Sequence, residues 1–545
     1  MNWYNETITT VIENVAKQNH NLKAIIQGNK SLTYENLLNK ASRVATGMRN
    51  LGITIGEHIG VLHPNDIVVP VLHHASACLG TVYVPFNVMF SPRELRDLLK
   101  HSDISVLFVG GEYKGKHLAE HVLEVLPELS RKKDPKLDLP EHPKLKWIVQ
   151  VDDKDPFHGS FLSLDELEET GAKDTLPFVN RTPQPESVSH LLYTSGTTAF
   201  PKGVLLTHRG VLGGSFYWGE AHRLTDNDRC LSLLPFYHTS GLIVQWLSIH
   251  LRGGPIHILE KYHRIDVKEV LETVERERIT VMGAFDTLLL QILEHPERGQ
   301  YDLSSWEKTS SFPGSSYDIR VKAGLKHIVC LYSLTEASNP VSLVMPEDER
   351  YDIRRKSVGR PLPGVEVKIV DPESEQVLPP GVSGEILFRG WNRLVGYYKP
   401  GPEEVTDKIF DKEGYLKTGD RGYLDNEGYL YFQGKYKDVI KTGGENVSPL
   451  EIENILLSEL PGIVQAQVVG ISDELWGEAV TAFIEIEPIR TFTVEDVLKT
   501  CREKLASFKV PKYVFFIKHE DWPMTSTGKI RKEELRRRVD YNKLR

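Results

Sequence analysis

Apolar residues near the amino terminus recur first at helical intervals and then at strand intervals. Ile8, Val11 and Val15 are spaced three or four residues apart, which predicts a helix near residues 6–18. The pattern that follows predicts, in chain order, a strand at Ala24–Gln27, a helix at Thr33–Leu51, a strand near His58–Leu62, a helix at Pro92–His101 and a strand at Val106–Val109. Strands that alternate with helices of this length indicate parallel sheet layers covered by helices.

The stretch from Ile67 to Pro92 contains no charged residue over 26 positions, which is long enough to span a bilayer. Proline, histidine and asparagine side chains interrupt it, however, and Gly80 divides it in two. We therefore predict a buried helix at about 67–79 and a buried strand at Thr81–Val84 rather than a membrane span. The amino-terminal residues show no basic segment followed by an apolar one, so we expect no signal peptide.

Four segments with different hydrophobic patterns follow residue 130. Residues 131–186 are polar and weakly patterned, and most of them are expected to form a surface connection. A second α/β region is predicted at about 187–345, and short strands between glycine turns predict a small β unit at about 357–432. The segment after about residue 437 mixes helical and strand patterns over a short length, as in a small α+β domain.

The first helix of that last segment has a recognisable start. Ser448 is followed by Pro449 and Glu451, which predicts a helix with Ser448 as its N-cap, proline at the first position and Glu451 closing a capping box. The predicted fold class is thus α/β: a large N-terminal domain of α/β layers with a small β unit, then a small α+β C-terminal domain.

Composition and charge narrow the class of protein. The 545 residues carry 66 Lys and Arg against 75 Asp and Glu, a formal net charge of −9. Residues 501–545 hold 13 Lys and Arg against 6 Asp and Glu, so a basic tail follows an acidic body and suits nucleic acid, a membrane surface or a polyanionic small molecule. The 4 cysteines lie far apart, which excludes a disulfide framework or zinc site and favours reduced thiols in a cytosolic compartment.

The strongest local signal is Tyr193-Thr-Ser-Gly-Thr-Thr-Ala-Phe-Pro-Lys-Gly203, a loop that leaves a predicted strand. Its hydroxyls, glycine amides and lysine can surround one anion with hydrogen-bond donors and add a point charge. The common P-loop pattern does not fit this segment. Taken alone, such a run is as often a flexible loop.

Three further motifs carry groups that suit a nucleotide. Tyr332-Ser-Leu-Thr-Glu336 offers an aromatic ring, a hydroxyl and a carboxylate that can hold Mg²⁺. Tyr415-Leu-Lys-Thr-Gly-Asp420 places a carboxylate at a tight turn, where it suits a ribose diol, and Pro523-Met-Thr-Ser-Thr-Gly-Lys529 puts a lysine on a glycine loop of the basic tail. Each motif alone is more often a plain surface turn, so their order and spacing decide between the two interpretations.

In that order and spacing the chain resembles the adenylate-forming (AMP-binding) superfamily, and most of all a fatty-acid-type acyl-CoA synthetase. The resemblance covers nearly all 545 residues and rests on YTSGTTAFPKGV, YSLTE, YLKTGD, GKYKDVIKTGGENVSPLEIE and PMTSTGKIRK, with Pro235-Phe-Tyr-His238 and Trp476-Gly-Glu478 in support. It implies that a carboxylic acid is activated with ATP and Mg²⁺ to acyl-AMP, that pyrophosphate is released, and that the acyl group then passes to the thiol of coenzyme A.

The resemblance also implies a role for individual residues. Lys529 is expected to bridge the acid and the α-phosphate, Thr335 to contact the α-phosphate, and Glu336 to hold the metal. His238 is expected near the acyl carboxylate. The expected contacts of the β- and γ-phosphates are Thr194, Ser195, Gly196, Thr197, Thr198 and Lys202; those of adenine are Tyr332, Gly314, Ser315 and Ser316; and those of the ribose are Asp420 and Lys435.

The same resemblance implies a mobile C-terminal domain. The expected boundaries are 1–436 for the large domain, with the small β unit at about 350–436, and 437–545 for the small domain. Lys437 occupies the expected hinge. Rotation there after adenylation withdraws Lys529 and brings Lys441, Gly443 and Gly444 near the thiol donor.

Four residues depart from the family pattern. Ala199 and Ser333 stand where glycine is usual, Asp286 stands in place of proline, and Lys435 stands in place of an arginine whose guanidinium fork a lysine cannot reproduce. They leave Lys202, Thr335, Glu336, Asp420 and Lys529 in place, which favours an active enzyme.

Several alternatives remain open at this point. A fatty acyl-AMP ligase that loads an acyl carrier protein is the runner-up, but no insertion is visible in 340–435, which favours coenzyme A. A non-catalytic family member is a third reading. Nucleic-acid binding is disfavoured because the basic tail contains carboxylates and lacks interleaved aromatic residues. We expect a cytoplasmic protein. The resemblance to the family suggests a homodimer. The sequence does not define the acyl chain length.

Overall fold

Two large sheets dominate the part of the chain that the computed structural model describes, which comprises residues 3–132, 134–152, 159–172, 183–194, 201–260, 265–402, 404–442, 445–473, 476–488, 490–505, 507–525 and 529–539. Both sheets have a parallel core, as the alternation of strands and helices predicted. The α/β class, with a large N-terminal part and a small C-terminal part, is therefore confirmed.

The first large sheet has nine strands within the described ranges. Its central strands run parallel, and antiparallel strands close both ends. In spatial order the strands are Arg360–Pro361, Asn339–Leu343, His327–Leu334, Lys308–Ser311, Val281–Gly283, Cys230–Ser232, Ile256–Ile258, Lys23–Gln27 and Lys30–Thr33. The carboxyl ends of parallel strands lie at one edge of such a sheet, which is where α/β proteins bind their ligands.

The second large sheet has eight strands within the described ranges. It contains the predicted strand near 58–62, the strand after Gly80 and the hairpin that frames the hydroxyl-rich loop. In spatial order the strands are Gly396–Tyr398, Lys202–Thr207, Val188–Thr194, Val82–Pro85, His58–Leu62, Ile104–Val109, Trp147–Gln150 and Leu162–Ser163.

The last two of these strands correct an expectation, because residues 131–186 are more than a surface connection. Trp147–Gln150 and Leu162–Ser163 extend the sheet, and the helix Leu164–Ala172 packs on the helix Tyr34–Asn50. This helix pair makes its contact through glycines: a Cβ at Gly47 would collide with the Leu167 carbonyl. The sequence pattern did not predict this helix packing, because contacts made through glycine do not produce an apolar stripe on the helix.

Smaller sheets and helices complete the molecule. The small β unit is a sheet of Val365–Val370, Gly384–Gly390, Leu416–Leu424 and Leu430–Lys435, and the C-terminal sheet is formed by Glu445–Val447, Ile440–Thr442, Gly477–Ile486, Ile463–Asp473 and Tyr513–Phe516. The two short strands Glu112–Tyr113 and Lys116–His117 form a separate ribbon.

Helices cover and connect these sheets. In chain order they are Ile8–Asn19, Tyr34–Asn50, Val68–Leu79, Pro92–Ser102, Leu118–Val125, Leu164–Ala172, His208–Ala221, Ser240–Leu247 (a π-helix), Ser248–His250, Val267–Glu277, Asp286–Glu294, Ser315–Lys322, Tyr351–Lys356, Thr406–Ile409, Pro449–Glu459, Val494–Lys504 and Lys532–Arg538.

The uncharged stretch behaves as predicted. It forms the helix Val68–Leu79 and the strand Val82–Pro85, both buried, with Gly80 in the left-handed conformation between them. Within the described ranges, no helix combines the length and the apolar composition that a bilayer crossing requires.

The predicted capping box at Ser448 is wrong. The helix Pro449–Glu459 does begin after Ser448, but the Ser448 hydroxyl donates to the Gln433 carbonyl at 2.8 Å, and Glu451 pairs with Lys509 at 2.7 Å. The serine therefore ties the first C-terminal helix back to the small β unit instead of capping its own helix.

The four cysteines are free thiols, as expected. Burial raises the pKa of Cys330 to about 12 and that of Cys501 to about 11. Cys330 lies in the strand His327–Leu334, two positions before Tyr332.

Buried histidines form a contiguous cluster between the two large sheets. The His73 and His190 rings meet through their Nε2 atoms at 3.0 Å, and the His74 ring stacks on His250 with centroids 6.0 Å apart. Burial lowers the pKa of His74 and His190 to about 3 and that of His250 to about 4, and repulsion from neighbouring histidines acts in the same direction for the first two. These rings are neutral in the folded protein.

We predict that this cluster makes the fold sensitive to acid. The unfolded chain protonates these histidines below about pH 6.5, whereas the folded chain does not until the pH is much lower. The free energy of unfolding therefore falls as pH decreases below that value, by up to about 1.4 kcal/mol per pH unit for each ring. Urea titrations at several pH values measure this slope. His74→Gln should reduce the slope of the unfolding free energy against pH by the contribution of one histidine. Replacing the exposed His20 by Gln should leave the slope unchanged. Equal slopes for His74→Gln and the wild type would contradict the prediction.

Candidate active site

The hairpin that carries the hydroxyl-rich loop opens at the edge of the second sheet. Thr194 and Lys202 are paired across the two antiparallel strands, directly at the mouth of the loop. The expected contacts Ser195, Gly196, Thr197 and Thr198, and the departure at Ala199, lie outside the described residues. The strand that begins at Lys202 pairs on its other side with the strand Gly396–Tyr398.

Lys202 lies among groups that the sequence motifs did not reveal. Its Nζ atom is 3.4 Å from Glu404 Oε1 and 5.0 Å from the centre of the Tyr397 ring. Tyr397 in turn donates its hydroxyl to Glu336 Oε1 at 3.0 Å. The run Gly396-Tyr397-Tyr398 shows in sequence only a short β-prone segment, so nothing there signalled a contact between two of the expected site residues.

Glu336 and Thr335 follow the strand His327–Leu334 in a short 3₁₀-helix, Thr335–Ala337. The Leu394 N–H donates to the Glu336 carbonyl at 2.7 Å, which fixes the backbone there. Within the described chain the second carboxylate oxygen, Oε2, accepts no protein hydrogen bond. A carboxylate with one oxygen held and one open fits a hard divalent cation such as Mg²⁺.

Asp420 is almost completely buried and only half satisfied. Tyr332 donates its hydroxyl to Asp420 Oδ2 at 2.6 Å, while Oδ1 has no hydrogen-bond partner among the described residues. Lys435, opposite Asp420 on the neighbouring strand, holds its Nζ 3.5 Å from Oδ1. Burial raises the pKa of Asp420, and the Lys435 charge and the Tyr332 hydrogen bond partly counteract that shift. The open Oδ1 is an acceptor suited to a ribose hydroxyl.

Tyr332 is buried, and its ring stacks on Phe432 with centroids 5.6 Å apart. The structure therefore shows Tyr332 holding Asp420; its expected contact with adenine stays a prediction.

The segment expected to border adenine begins the helix Ser315–Lys322. Gly314 precedes the helix with φ 85°, and a Cβ there would approach Asn454 of the first C-terminal helix to 3.0 Å. The Ser316 hydroxyl donates to Asp286 at 2.9 Å, so it is occupied within the protein. Gly314 is thus a point of close approach between the large domain and the C-terminal part.

Asp286, one of the four departures, now has a structural reason. It accepts from Arg320 at 2.6 Å, and the same buried guanidinium donates to the carbonyls of Ala284 and Ser310 at 2.7 Å and 2.6 Å. A carboxylate is needed here because a buried guanidinium without a counter-charge is costly. Arg320 thereby links the ends of the strands Val281–Gly283 and Lys308–Ser311, a role that no motif had suggested.

His238 is half-buried and its ring is neutral. Its Nδ1 accepts from the Ser240 N–H at 3.2 Å, which leaves the proton on Nε2. Burial lowers its pKa to about 4, and repulsion from Lys529 adds to the shift. Neutral His238 can therefore donate a hydrogen bond to an anion at neutral pH.

Lys529 lies in a loop of the C-terminal part of the chain. Its backbone is tied to Thr525 on both sides of the loop, through Lys529 N–H to the hydroxyl at 3.0 Å and Thr525 N–H to the Lys529 carbonyl at 2.7 Å. The residue is exposed, and the surrounding protein and the Lys435 charge lower its pKa, whereas Asp420 and Glu336 raise it. Lys529 is thus close enough to Asp420, Glu336 and His238 for their charges to influence one another.

Of the three residues expected near the thiol donor, the structure describes Lys441. Lys441 is exposed in the C-terminal sheet, where its N–H donates to Glu478 at 2.6 Å. Gly443 and Gly444 lie outside the described residues. Lys437 lies in the short 3₁₀-helix Tyr436–Asp438, directly after the small β unit, and the adjacent Asp438 pairs with Arg536 at 3.4 Å.

Comparison with known proteins shows the family to which the chain is similar. The family described as "AMP-binding enzyme" matches residues 12–398, and the "AMP-binding enzyme C-terminal domain" matches residues 451–529. YngI of Bacillus subtilis (strain 168), whose name assigns it provisionally to the acyl-CoA synthetases, is 32% identical over 98% of this chain and 97% of its own length. The mitochondrial medium-chain acyl-CoA ligase ACSF2 of Mus musculus is 28% identical over 95% of this chain and 85% of its own length.

A solved structure agrees on the fold. The anthranilate CoA ligase AuaEII, in complex with anthranoyl-AMP, superimposes with a TM-score of 0.84 at 23% identity, over 99% of this chain and 98% of that one.

We predict that Lys435→Met raises the pH below which nucleotide binding is lost. Loss of the charge 3.5 Å from Asp420 Oδ1 removes an influence that lowers the Asp420 pKa, so the carboxyl protonates at a higher pH. Because the ionised carboxylate is the stronger acceptor for a ribose hydroxyl at Oδ1, AMP binding should fail at a higher pH than in the wild type, with a loss of roughly fivefold or less at neutral pH. Calorimetric titration with AMP across acidic and neutral pH measures this. Lys435→Arg should follow the wild type; a Lys435→Met profile that superimposes on it would contradict the assignment.

Proposed function

Because the chain belongs to the family of AMP-binding enzymes, we propose that it acts on a fatty-type carboxylic acid and that the residues gathered around Glu336 and Asp420 carry its chemistry. The reaction is that of an acid–thiol ligase: a carboxylic acid is activated with ATP to acyl-AMP, pyrophosphate leaves, and coenzyme A takes the acyl group as a thioester.

The observation that best supports the proposed site is the position of Lys529. Adenylation brings a carboxylate to an α-phosphate, and the two anions repel each other. An ammonium close enough to Glu336, Asp420 and His238 for their charges to interact can neutralise both anions as the carboxylate oxygen attacks phosphorus. Positive charge fixed in advance at the place where negative charge concentrates is the largest contribution that such a site can make.

The other residues position the reactants. Neutral His238 donates its Nε2–H toward the acid, Asp420 Oδ1 accepts from the ribose, and Thr194 and Lys202 flank the phosphate loop. Glu336 Oε2 holds Mg²⁺, which when bound offsets the charge of the phosphates. Holding the carboxylate in line with the α-phosphate converts an encounter of two solutes into a step within one complex.

The two half-reactions are assigned to two orientations of the C-terminal domain. We place the boundary at 436/437 and the hinge at Lys437. Rotation there opens the hydrogen bond of Ser448 to the Gln433 carbonyl, which crosses the boundary, and it withdraws Lys529 and brings Lys441, Gly443 and Gly444 to the thiol.

The acid is proposed to be fatty on the strength of the medium-chain ligase among the relatives. Two exposed aromatic residues support an apolar acid: Phe285 and Phe312, at 41% and 58% exposure, leave the sheet side by side because their strands pair Val281 with Lys308. An aromatic acid is the second candidate, since the structural neighbour binds anthranoyl-AMP. The proposal includes a cytoplasmic location, with an acyl carrier protein as the alternative acceptor and a homodimer as the expected assembly.

An acid panel tests this proposal. The purified protein with ATP, Mg²⁺ and coenzyme A should release pyrophosphate and form acyl-CoA with medium-chain fatty acids faster than with aromatic acids. Mass spectrometry of the products distinguishes a coenzyme A ligase from the two alternative functions. Accumulation of acyl-AMP despite coenzyme A would favour the carrier-protein alternative, and the absence of turnover with every acid would favour a non-catalytic protein.

Lys529→Ala separates the half-reactions. Without the ammonium, pyrophosphate release should fall by roughly 100- to 1,000-fold, the cost of one charge-stabilising donor. Thioester formation from supplied acyl-AMP should stay near the wild-type rate, since Lys529 is withdrawn at that stage. The matched control is Lys518→Ala, which removes an exposed lysine of the same basic tail. Equal loss of both half-reactions in Lys529→Ala would argue against two orientations.

A further inference from the structure

The strand Gly396–Tyr398 carries two tyrosines on opposite faces. It pairs antiparallel with the strand that begins at Lys202, with Val204 opposite Tyr397 and Gly203 opposite Tyr398. Because successive side chains of a strand point to opposite sides, the two hydroxyls reach different neighbours. Tyr397 donates to Glu336 Oε1 at 3.0 Å, and Tyr398 donates to Asp103 Oδ2 at 2.8 Å.

The position of Tyr397 links the proposed metal ligand to the phosphate lysine. Its hydroxyl holds one oxygen of Glu336, while its ring lies 5.0 Å from the Lys202 ammonium. A cation over the face of a tyrosine ring is attracted by the ring's negative face. The far side of Lys202 is occupied by Glu404 at 3.4 Å, which gives the lysine a counter-charge.

We propose that Tyr397 is a positioning residue: it orients the Glu336 carboxylate toward the divalent cation through its hydroxyl and guides the Lys202 ammonium toward the polyphosphate with its ring. This inference rests on the proposed function, because it takes Glu336 as the metal ligand and Lys202 as the phosphate ligand.

A tied carboxylate explains why the hydroxyl matters. With Oε1 engaged, Glu336 presents Oε2 in one direction; without the bond, the carboxylate turns freely and loses entropy when it takes a cation. Partners that orient a metal ligand in this way typically contribute 10- to 100-fold to metal affinity.

The ring has a separate consequence. Lys202 contacts both Tyr397 and Glu404, so the position of its ammonium is fixed before the phosphates bind. The hydroxyl and the ring can therefore be separated by substitution: Tyr397→Phe removes only the hydroxyl, and Tyr397→Leu removes both.

The test measures Mn²⁺ binding without turnover. Wild type, Tyr397→Phe, Tyr397→Leu and Tyr398→Phe are each saturated with α,β-methylene ATP, and free Mn²⁺ is followed by electron paramagnetic resonance. Tyr397→Phe should weaken Mn²⁺ binding by about 10-fold or more. Binding of the same analogue without metal, measured by calorimetry, should change little in Tyr397→Phe and fall by about threefold in Tyr397→Leu, since the latter also loses the cation–ring contact.

Tyr398→Phe is the matched control. It removes a comparable hydrogen bond from the next residue of the same strand but leaves Glu336 untouched, so its Mn²⁺ affinity should equal that of the wild type. Wild-type Mn²⁺ affinity in Tyr397→Phe, or an equal loss in both variants, would overturn the inference. Metal-free analogue binding shows that each variant is folded. A wild type that binds neither the analogue nor Mn²⁺ would instead refute the proposed function on which the inference rests.

Discussion

The proposed site depends on keeping one ammonium, that of Lys529, charged in a place that does not favour charge. The surrounding protein and Lys435 both lower its pKa, whereas the carboxylates of Asp420 and Glu336 raise it. Asp420 lies in a strand of the small β unit, Glu336 lies in a short helix that follows a strand of the first large sheet, and the lysine comes from a third part of the chain. The balance therefore exists only when all three parts are assembled, so in the proposed function domain orientation is a condition of the chemistry.

The two carboxylates are prepared in the same way. Tyr332 occupies one oxygen of Asp420, and Tyr397 occupies one oxygen of Glu336. In both cases the second oxygen has no protein hydrogen bond among the described residues. Asp420 is buried and Glu336 is half-buried, so an oxygen without a hydrogen bond costs free energy there, and a ligand that completes the carboxylate recovers that cost. In the proposed function, a ribose hydroxyl completes Asp420 and a cation completes Glu336 without any change in the tyrosines.

The sequence predicted those parts that are encoded locally. The predicted helices and strands of the first hundred residues lie within two residues of the observed ones at each end, because their apolar spacing is regular; the strand Lys30–Thr33 was not predicted. Lys529, Asp420, Glu336 and His238 were predicted as site residues because each lies in a short motif. Tyr397, Glu404 and Arg320 were missed because their importance comes from contacts across 34 to 202 residues of chain, which no local pattern records. The helix Leu164–Ala172 was missed because it packs through glycine, and the Ser448 capping box failed because a carbonyl of another strand competed for the hydroxyl.

The buried thiols have a consequence for an enzyme that makes an activated acyl group. Acyl-AMP reacts with any accessible thiolate, and Cys330 lies in the same strand as Tyr332. Burial keeps Cys330 protonated, with a pKa near 12, and the other three cysteines have raised pKa values for the same reason. A protonated, enclosed thiol is a poor nucleophile. The protein is thereby protected from acylating itself, and the thiol of the incoming acceptor meets no competitor from the chain's own cysteines.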